Sequence, residues 1–262
     1  MKDLSQLKEA MRGRKILLVG LKGSGKGNRS RDLMALGLVH IGLGMIMREQ
    51  VRKDPNSELS LKVVKTTRKG KLLPDDLVLP IIMDRLNQAD CQEQGYVLDG
   101  FPRTKAQADW LLSRVTLDLV LYLDVPKTFL IDGIIRFNRR ACVVCGSTYS
   151  DFDPPKVEGI CDKCGNKLVR RKSDNLEVIK ARLQSDEEQI RSFLPSFKTK
   201  GLLQTLPIIV NDDQKIDDRN LKKLKGEVYW VQTDTGEKAR MLNYEGMRRR
   251  LHTLLKKKFI EV

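Results

Sequence analysis

Lys15-Ile-Leu-Leu-Val-Gly-Leu-Lys-Gly-Ser-Gly-Lys-Gly-Asn28 is the stretch on which the reading of this chain turns. Its first part, Lys15 to Val19, is an apolar run closed by Gly20, the pattern of a strand buried on both faces of a parallel sheet. Its second part sets glycines at 20, 23, 25 and 27 around Ser24 and Lys26. Such glycines let backbone N–H groups turn inward around a phosphate, and Lys26 adds a point charge. The helix that starts here contributes the positive end of its dipole. A strand before and a helix after is the context that separates a phosphate loop from a plain glycine turn. Many loops of this kind carry a Ser or Thr after the lysine, whose hydroxyl meets magnesium. Gly27 and Asn28 stand there instead, so the metal must be held otherwise.

Outward from this loop, strands are expected at Gly95–Asp99, Leu117–Val125 and Leu206–Val210, and His40 is read as a packed residue at the end of a strand. Helices are expected within 1–14, over 29–40, 44–70 and roughly 75–90, then Lys105–Ser113, Thr128–Asn138, Asn175–Leu194 and Asp217–Leu224. Strand and helix alternate, which implies an α/β fold with a parallel sheet covered on both faces. Asp99-Gly-Phe-Pro-Arg-Thr104 closes the second strand. An aspartate there, beside a phosphate loop, is placed to orient magnesium-bound water, and Arg103 can fork onto a phosphate.

Four of the five cysteines form two Cys-x-x-Cys pairs, Cys142 with Cys145 and Cys161 with Cys164, fifteen residues apart. That spacing suits four thiolates on one tetrahedral zinc. Arg139, Arg140, Arg170, Arg171 and Lys172 flank the pairs, so the module reads as a rigid flap that closes on an anion. Cys91 reads as a half-buried helix residue.

The chain has 262 residues, 40% hydrophobic, with 49 Lys and Arg against 34 Asp and Glu. The excess of fifteen positive charges favours polyanions without choosing among them. No apolar run is long enough to span a bilayer and no secretory segment opens the chain, so a cytoplasmic location with reduced thiols is expected.

Taken in order, these motifs resemble the adenylate kinase family of nucleoside monophosphate kinases, in its long form with a zinc lid. The resemblance covers roughly residues 14–224. It is carried by the loop at 20–27, His40-Ile-Gly with Gly44 and Arg48, and Gly70-Lys71-Leu72. Asp99-Gly-Phe-Pro-Arg-Thr104 with Gln107, Asp153-Pro-Pro-Lys-Val-Glu-Gly159, Arg171-Lys-Ser-Asp174 and Arg182 complete it. The family implies a P-loop NTPase-type doubly wound parallel sheet. Its core would comprise 14–42, 73–138 and 174–224, with an NMP-binding helical insertion at 43–72 and a zinc-ribbon-like lid at 139–173.

The resemblance also implies reversible phosphoryl transfer from ATP to a nucleoside monophosphate, AMP foremost. Gly23, Ser24, Gly25, Lys26, Gly27, Asn28 and Arg139 would bind ATP. Leu43, Arg48, Lys71, Leu73, Gly100, Arg103, Gln107, Arg171 and Arg182 would bind AMP. Lys26, Asp99, Arg103, Arg139, Arg171 and Arg182 would serve catalysis, with magnesium accompanying ATP and a structural zinc on Cys142, Cys145, Cys161 and Cys164. The kinase would act as a monomer and without a membrane. Leu43 and Met45 depart from the family pattern, which has a base-contacting hydroxyl and a magnesium-side aspartate there.

Residues 225–262 lie beyond the family's usual end. Val228–Thr233 and Glu237–Leu242 flank Asp234-Thr-Gly236 and read as a hairpin, and Tyr244–Phe259 as a basic amphipathic helix. Eleven basic and five acidic residues follow from Lys222 onward. Two readings stand for this tail: a packed accessory helix with a solvated charged face, or a docking element for RNA or a ribosome. The second goes with an alternative function, a catalytically weakened relative of the kinases that binds such a partner.

Overall fold

The computed structural model describes residues 2–68, 72–127, 130–131, 139–145, 147–150, 154–170, 175–207, 209–210, 228–232, 238–242 and 244–261. Helix α1, Lys2–Met11, leads to β1, Lys15–Gly20, and the phosphate loop opens α2, Lys26–Ala35. Then come β2 (Val39–Gly42), α3 (Leu43–Lys53), α4 (Glu58–Arg68), α5 (Asp75–Leu86), α6 (Ala89–Gln94), β3 (Tyr96–Asp99), α7 (Lys105–Leu112) and β4 (Leu119–Asp124). The cysteine region holds β5 (Arg140–Cys142), β6 (Thr148–Tyr149) and β7 (Leu168–Val169). Beyond it lie α8 (Leu176–Thr199), β8 (Leu203–Pro207) and β9 (Ile209–Val210). The tail holds β10 (Val228–Gln232), β11 (Lys238–Leu242) and α9 (Tyr244–Phe259).

Five strands form one parallel sheet in the order β2-β3-β1-β4-β8. Its central strands are the apolar runs read from the sequence: Leu17, Val97, Leu98 and Leu119 to Leu121 are fully buried. The chain leaves β1 and comes back on both of its sides, to β3 and to β4. That reversal opens a crevice at the carboxyl ends of the strands, where ligands bind in sheets of this kind. Asp118 locks the other end: its Oδ2 accepts from the Lys15 N–H at 2.8 Å, and Oδ1 accepts from Arg14 Nη1 at 2.9 Å.

Several elements differ from expectation for local reasons. The helical stretch 44–70 is two helices, because Asp54-Pro-Asn-Ser57 breaks it and the Ser57 Oγ accepts the Ser60 N–H at 3.2 Å, capping α4. The helix expected to 90 stops at Leu86 and restarts as α6. Helix α8 runs on through Pro195, since Phe193 and Phe197, one turn apart, are both buried. The strand expected at Leu206–Val210 belongs to two sheets: β8 pairs parallel with β4, while β9 pairs antiparallel with β11. The helix expected at Asp217–Leu224 and nearly all of that at Thr128–Asn138 lie outside the described residues.

The tail is built onto the core. Val228 pairs with Leu242 and Gln232 with Lys238 in an antiparallel ladder, which β9 extends. Helix α9 buries Met247, Leu251 and Leu255 against α1 and α2. Arg250 Nη1 donates to the Pro207 carbonyl at 2.7 Å, and the Arg14 guanidinium lies 4.7 Å from the centre of the Phe259 ring. This is the packed-helix reading of the tail; the outer face keeps Arg248, Arg249 and Lys257 exposed. Among the described residues no helix is long and apolar enough to cross a membrane.

Candidate functional site

The phosphate loop is shaped by its glycines. Gly25 caps α2 in the left-handed region (φ 85°), and a Cβ on Gly20 would come within 2.7 Å of Ser24 Oγ, so neither position takes a larger residue without distortion. Lys26 folds back over the loop, its Nζ donating to the carbonyls of Gly20 at 2.6 Å and Leu21 at 3.0 Å. Burial is the main influence on its pKa, which lies below the ordinary lysine value; Asp99 and Asp186 oppose that shift. An anion in the loop would offer the ammonium better partners than two carbonyls.

Asp99 ends β3 beside it. Burial alone would raise the Asp99 pKa, but His40, Lys26 and Arg103 outweigh burial and hold it below the ordinary value. His40, read from sequence as a packing residue, in fact lies with its Nε2 3.9 Å from Asp99 Oδ2. Asp99 Oδ1, His40 Nε2 and Ser24 Oγ are buried and make no hydrogen bond among the described residues. Unmet polar atoms at such a place fit a ligand that completes them. An ionised carboxylate with a free oxygen suits the water shell of magnesium, so the residues present fit that ion.

Arg103 follows Gly100 in the loop before α7. Its Nε donates to the Gly100 carbonyl at 2.9 Å, and its backbone N–H to Gln107 Oε1 at 2.7 Å. The Gln107 amide donates in turn to Asp75 Oδ1 at 2.6 Å, so it ties Arg103 to α5. Thr104 caps α7, its Oγ1 accepting the Gln107 N–H at 3.2 Å. The bond to Gly100 sets where the Arg103 guanidinium points, and the bond to Gln107 braces its backbone.

Lys26, Gly100, Arg103 and Arg182 line one cleft of about 250 Å³, with Asp186 and Gln189 beside them. Asp186, Gln189, Ile190 and Phe193 were not foreseen, although a helical period counted from Arg182 finds all four. Leu43 and Leu73 are packed against the hydrophobic core, and Gln107 is buried. Arg48, on α3, and Arg139, half-buried just ahead of β5, stand outside the cleft. The Arg48 pKa is lowered by burial, while the Cys145 sulfur acts on it in the opposite sense. Gly23, Gly27 and Asn28 occupy the loop and its helix, where the Asn28 side chain accepts from Arg31. Lys71 and Arg171 lie outside the described residues.

The four cysteine sulfurs lie within 4.8 Å of one another, with Cys142 to Cys164 at 3.4 Å and Cys145 to Cys161 at 3.5 Å. A tetrahedron with metal–sulfur bonds near 2.3 Å requires sulfurs about 3.8 Å apart, so the four thiols fit zinc with a small adjustment. Burial resists ionisation of Cys161, yet the Tyr149 hydroxyl and the N–H groups of Lys163 and Cys164 outweigh it and bring the thiol to about 6. Cys142 is pushed up to about 11, first by burial.

A doubly wound sheet with a glycine loop, a strand-end carboxylate and converging basic side chains defines a nucleotide-binding kinase fold. The adenylate kinase sequence profile matches residues 18–202. An adenylate kinase of Lachnospira eligens is 40% identical over 211 residues, which cover 78% of this chain and 95% of that protein. One from Clostridium botulinum is 35% identical over 81% of this chain and 99% of its own length, and one from Carboxydothermus hydrogenoformans 37% over 73% and 91%. The chain belongs to the adenylate kinase family, and with it to the nucleoside monophosphate kinases, a class of phosphotransferases.

Proposed function

We propose that the protein transfers the terminal phosphoryl of ATP reversibly to a nucleoside monophosphate, AMP foremost, giving two ADP. The observation that carries this reading is the convergence of Lys26, Arg103 and Arg182 on one cleft at the carboxyl end of the sheet. Lys26 holds the donor's β- and γ-phosphates. Arg48 and Arg103 grip the acceptor's α-phosphate, and Arg139, Arg171 and Arg182 neutralise charge on the transferred group. Leu43, Lys71, Leu73, the Gly100 backbone and Gln107 form the acceptor site. Asp99 orients the waters of magnesium, which when bound screens charge between the phosphates. Phosphoryl transfer depends on alignment and charge neutralisation rather than on a covalent intermediate.

The cysteine module acts as a lid. A structural zinc on Cys142, Cys145, Cys161 and Cys164 keeps it rigid, so that its arginines arrive together and water is excluded. The protein works in the cytoplasm, where these thiols remain reduced.

A coupled assay with ATP, magnesium and a panel of nucleoside monophosphates tests the reading. AMP is expected to be the preferred acceptor; transfer to none of them by zinc-replete protein overturns it. Preference for UMP or CMP would move the acceptor and keep the reaction.

A further inference from the structure

One charge in the phosphate cleft has a sign opposite to what an anion site calls for. Asp186 lines it, one turn after Arg182 on α8, and among the described residues it is the only carboxylate that does. Lys22, Lys26, Arg103 and Arg182 line the same space. An acid facing bound phosphates costs affinity, so its presence needs a role in the free protein.

The geometry suggests one. Arg182 Nε stands 3.8 Å from Asp186 Oδ2, within the range of charge attraction and beyond a hydrogen bond. The cation precedes the anion at i,i+4, the weaker order on a helix. Both side chains are mostly covered, so solvent screens the pair only in part. Asp186 also acts across the cleft: burial chiefly lowers the pKa values of Lys26 and Arg103, and Asp186 is among the groups that resist this.

We propose that Asp186 is the resident counter-ion of the phosphate cleft, keeping Arg182 turned toward Lys26 and Arg103 until substrate phosphates take its place. The inference rests on the phosphoryl-transfer reading and adds a positioning residue to it. A long, unbonded pair suits the role, because the guanidinium must be released when the phosphates arrive. A short bidentate pair would compete with the substrate instead.

The test is calorimetric binding of inorganic tripolyphosphate to the full chain and to Asp186→Asn and Asp186→Glu variants, beside steady-state kinetics. Asp186→Asn is expected to bind tripolyphosphate about tenfold more tightly, because one opposing charge is gone. Its KM for ATP should fall while kcat also falls several-fold, because Arg182 is no longer held in place. Asp186→Glu should restore the parental values. If the parent binds tripolyphosphate and Asp186→Asn binds it no more tightly, the counter-ion role is overturned and the kinase reading stands. If Asp186→Asn tightens binding but the parent phosphorylates no monophosphate, the role stands and the kinase reading falls. A parent that binds no tripolyphosphate overturns both. Lower thermal stability in both variants with unchanged tripolyphosphate affinity would assign Asp186 a structural role only, and would also overturn the proposal.

Discussion

The parallel core buries Leu17, Val97, Leu98 and Leu119 to Leu121 completely, whereas among the described residues the cysteine module buries only Ala141, Cys142, Tyr149 and Cys161, with Cys145 and Leu168 partly covered. The module's Val143, Val144 and Val157 are at least half exposed. Burial at about 1.5–3 kcal/mol for a large apolar side chain is ample for the sheet. Four buried side chains, of which only Tyr149 is large, do not hold an insertion of the module's length. The two regions therefore call for different physics: the core is held by removing apolar surface from water, whereas the module, its four cysteine sulfurs within 4.8 Å of one another, has the geometry for a metal cross-link. The difference also suits the proposed roles, since a core must not deform while it holds the glycine loop, and the proposed lid would have to move as a unit.

The sharpest way to break this comparison is to remove zinc. Chelation, or Cys145→Ser, is expected to unfold the module, because the metal-binding free energy of such sites, on the order of 10 kcal/mol, is its folding energy. Calorimetry should then show the core transition retained, with transfer nearly abolished. A single cooperative loss of both regions would show that the core leans on the module.

Next in size is Arg103→Ala, which separates chemistry from folding within the core. Loss of a charge-assisted clamp on phosphate is expected to cost about 3–4 kcal/mol of transition-state stabilisation, two to three orders of magnitude in kcat/KM. The unfolding midpoint should change little. A drop of less than twofold would take Arg103 out of the site.

Leu251→Ala tests whether the tail belongs to the burial-stabilised region. Leu251 is fully buried, so a cost of about 2–4 kcal/mol is expected in denaturant unfolding, with zinc affinity unchanged. A cost near zero would return α9 to the status of a loose arm.

The smallest effect concerns a surface ion pair of the core. Arg85 binds both oxygens of Asp90 at 2.7 and 2.8 Å and is the main reason the Asp90 pKa lies at about 2. A carboxylate whose pKa is lowered by folding stabilises the fold above the ordinary carboxylate range. That contribution fades as pH falls through about 2. Asp90 is 42% exposed, so Asp90→Asn should cost under ~1 kcal/mol at neutral pH. The gap between variant and parent should close in acid, read by urea unfolding at a series of pH values; a gap that widens would exclude Arg85 as the cause.

The readings that survived best from sequence depend on neighbours in the chain. The phosphate loop, both cysteine knuckles, the tail hairpin and the limits of Tyr244–Phe259 are set within a few residues, by glycine freedom, ligand spacing or apolar period. Helix ends were less legible: Asn87 ends α5 and Phe197 extends α8 past Pro195, where capping and burial override the simple pattern. His40 looked bland because nothing near it in sequence shows that β2 lies beside β3, which brings it to Asp99.

Sequence alone determined the alternation of strand and helix, the glycine loop between β1 and α2 and the pairing of cysteines that cluster in space, because each is written in adjacent residues. Tertiary structure decided which distant residues share a cleft. Lys26, Arg103, Arg182 and Asp186 come from three segments, and only the β2-β3-β1-β4-β8 order and the packing of α8 bring them together. It also decided the fate of the tail, whose charge reads as an arm until Met247, Leu251 and Leu255 are seen buried against α1 and α2. The reason is physical: chain-local signals fix backbone geometry, while charge pairing and burial depend on distances that sequence separation does not encode.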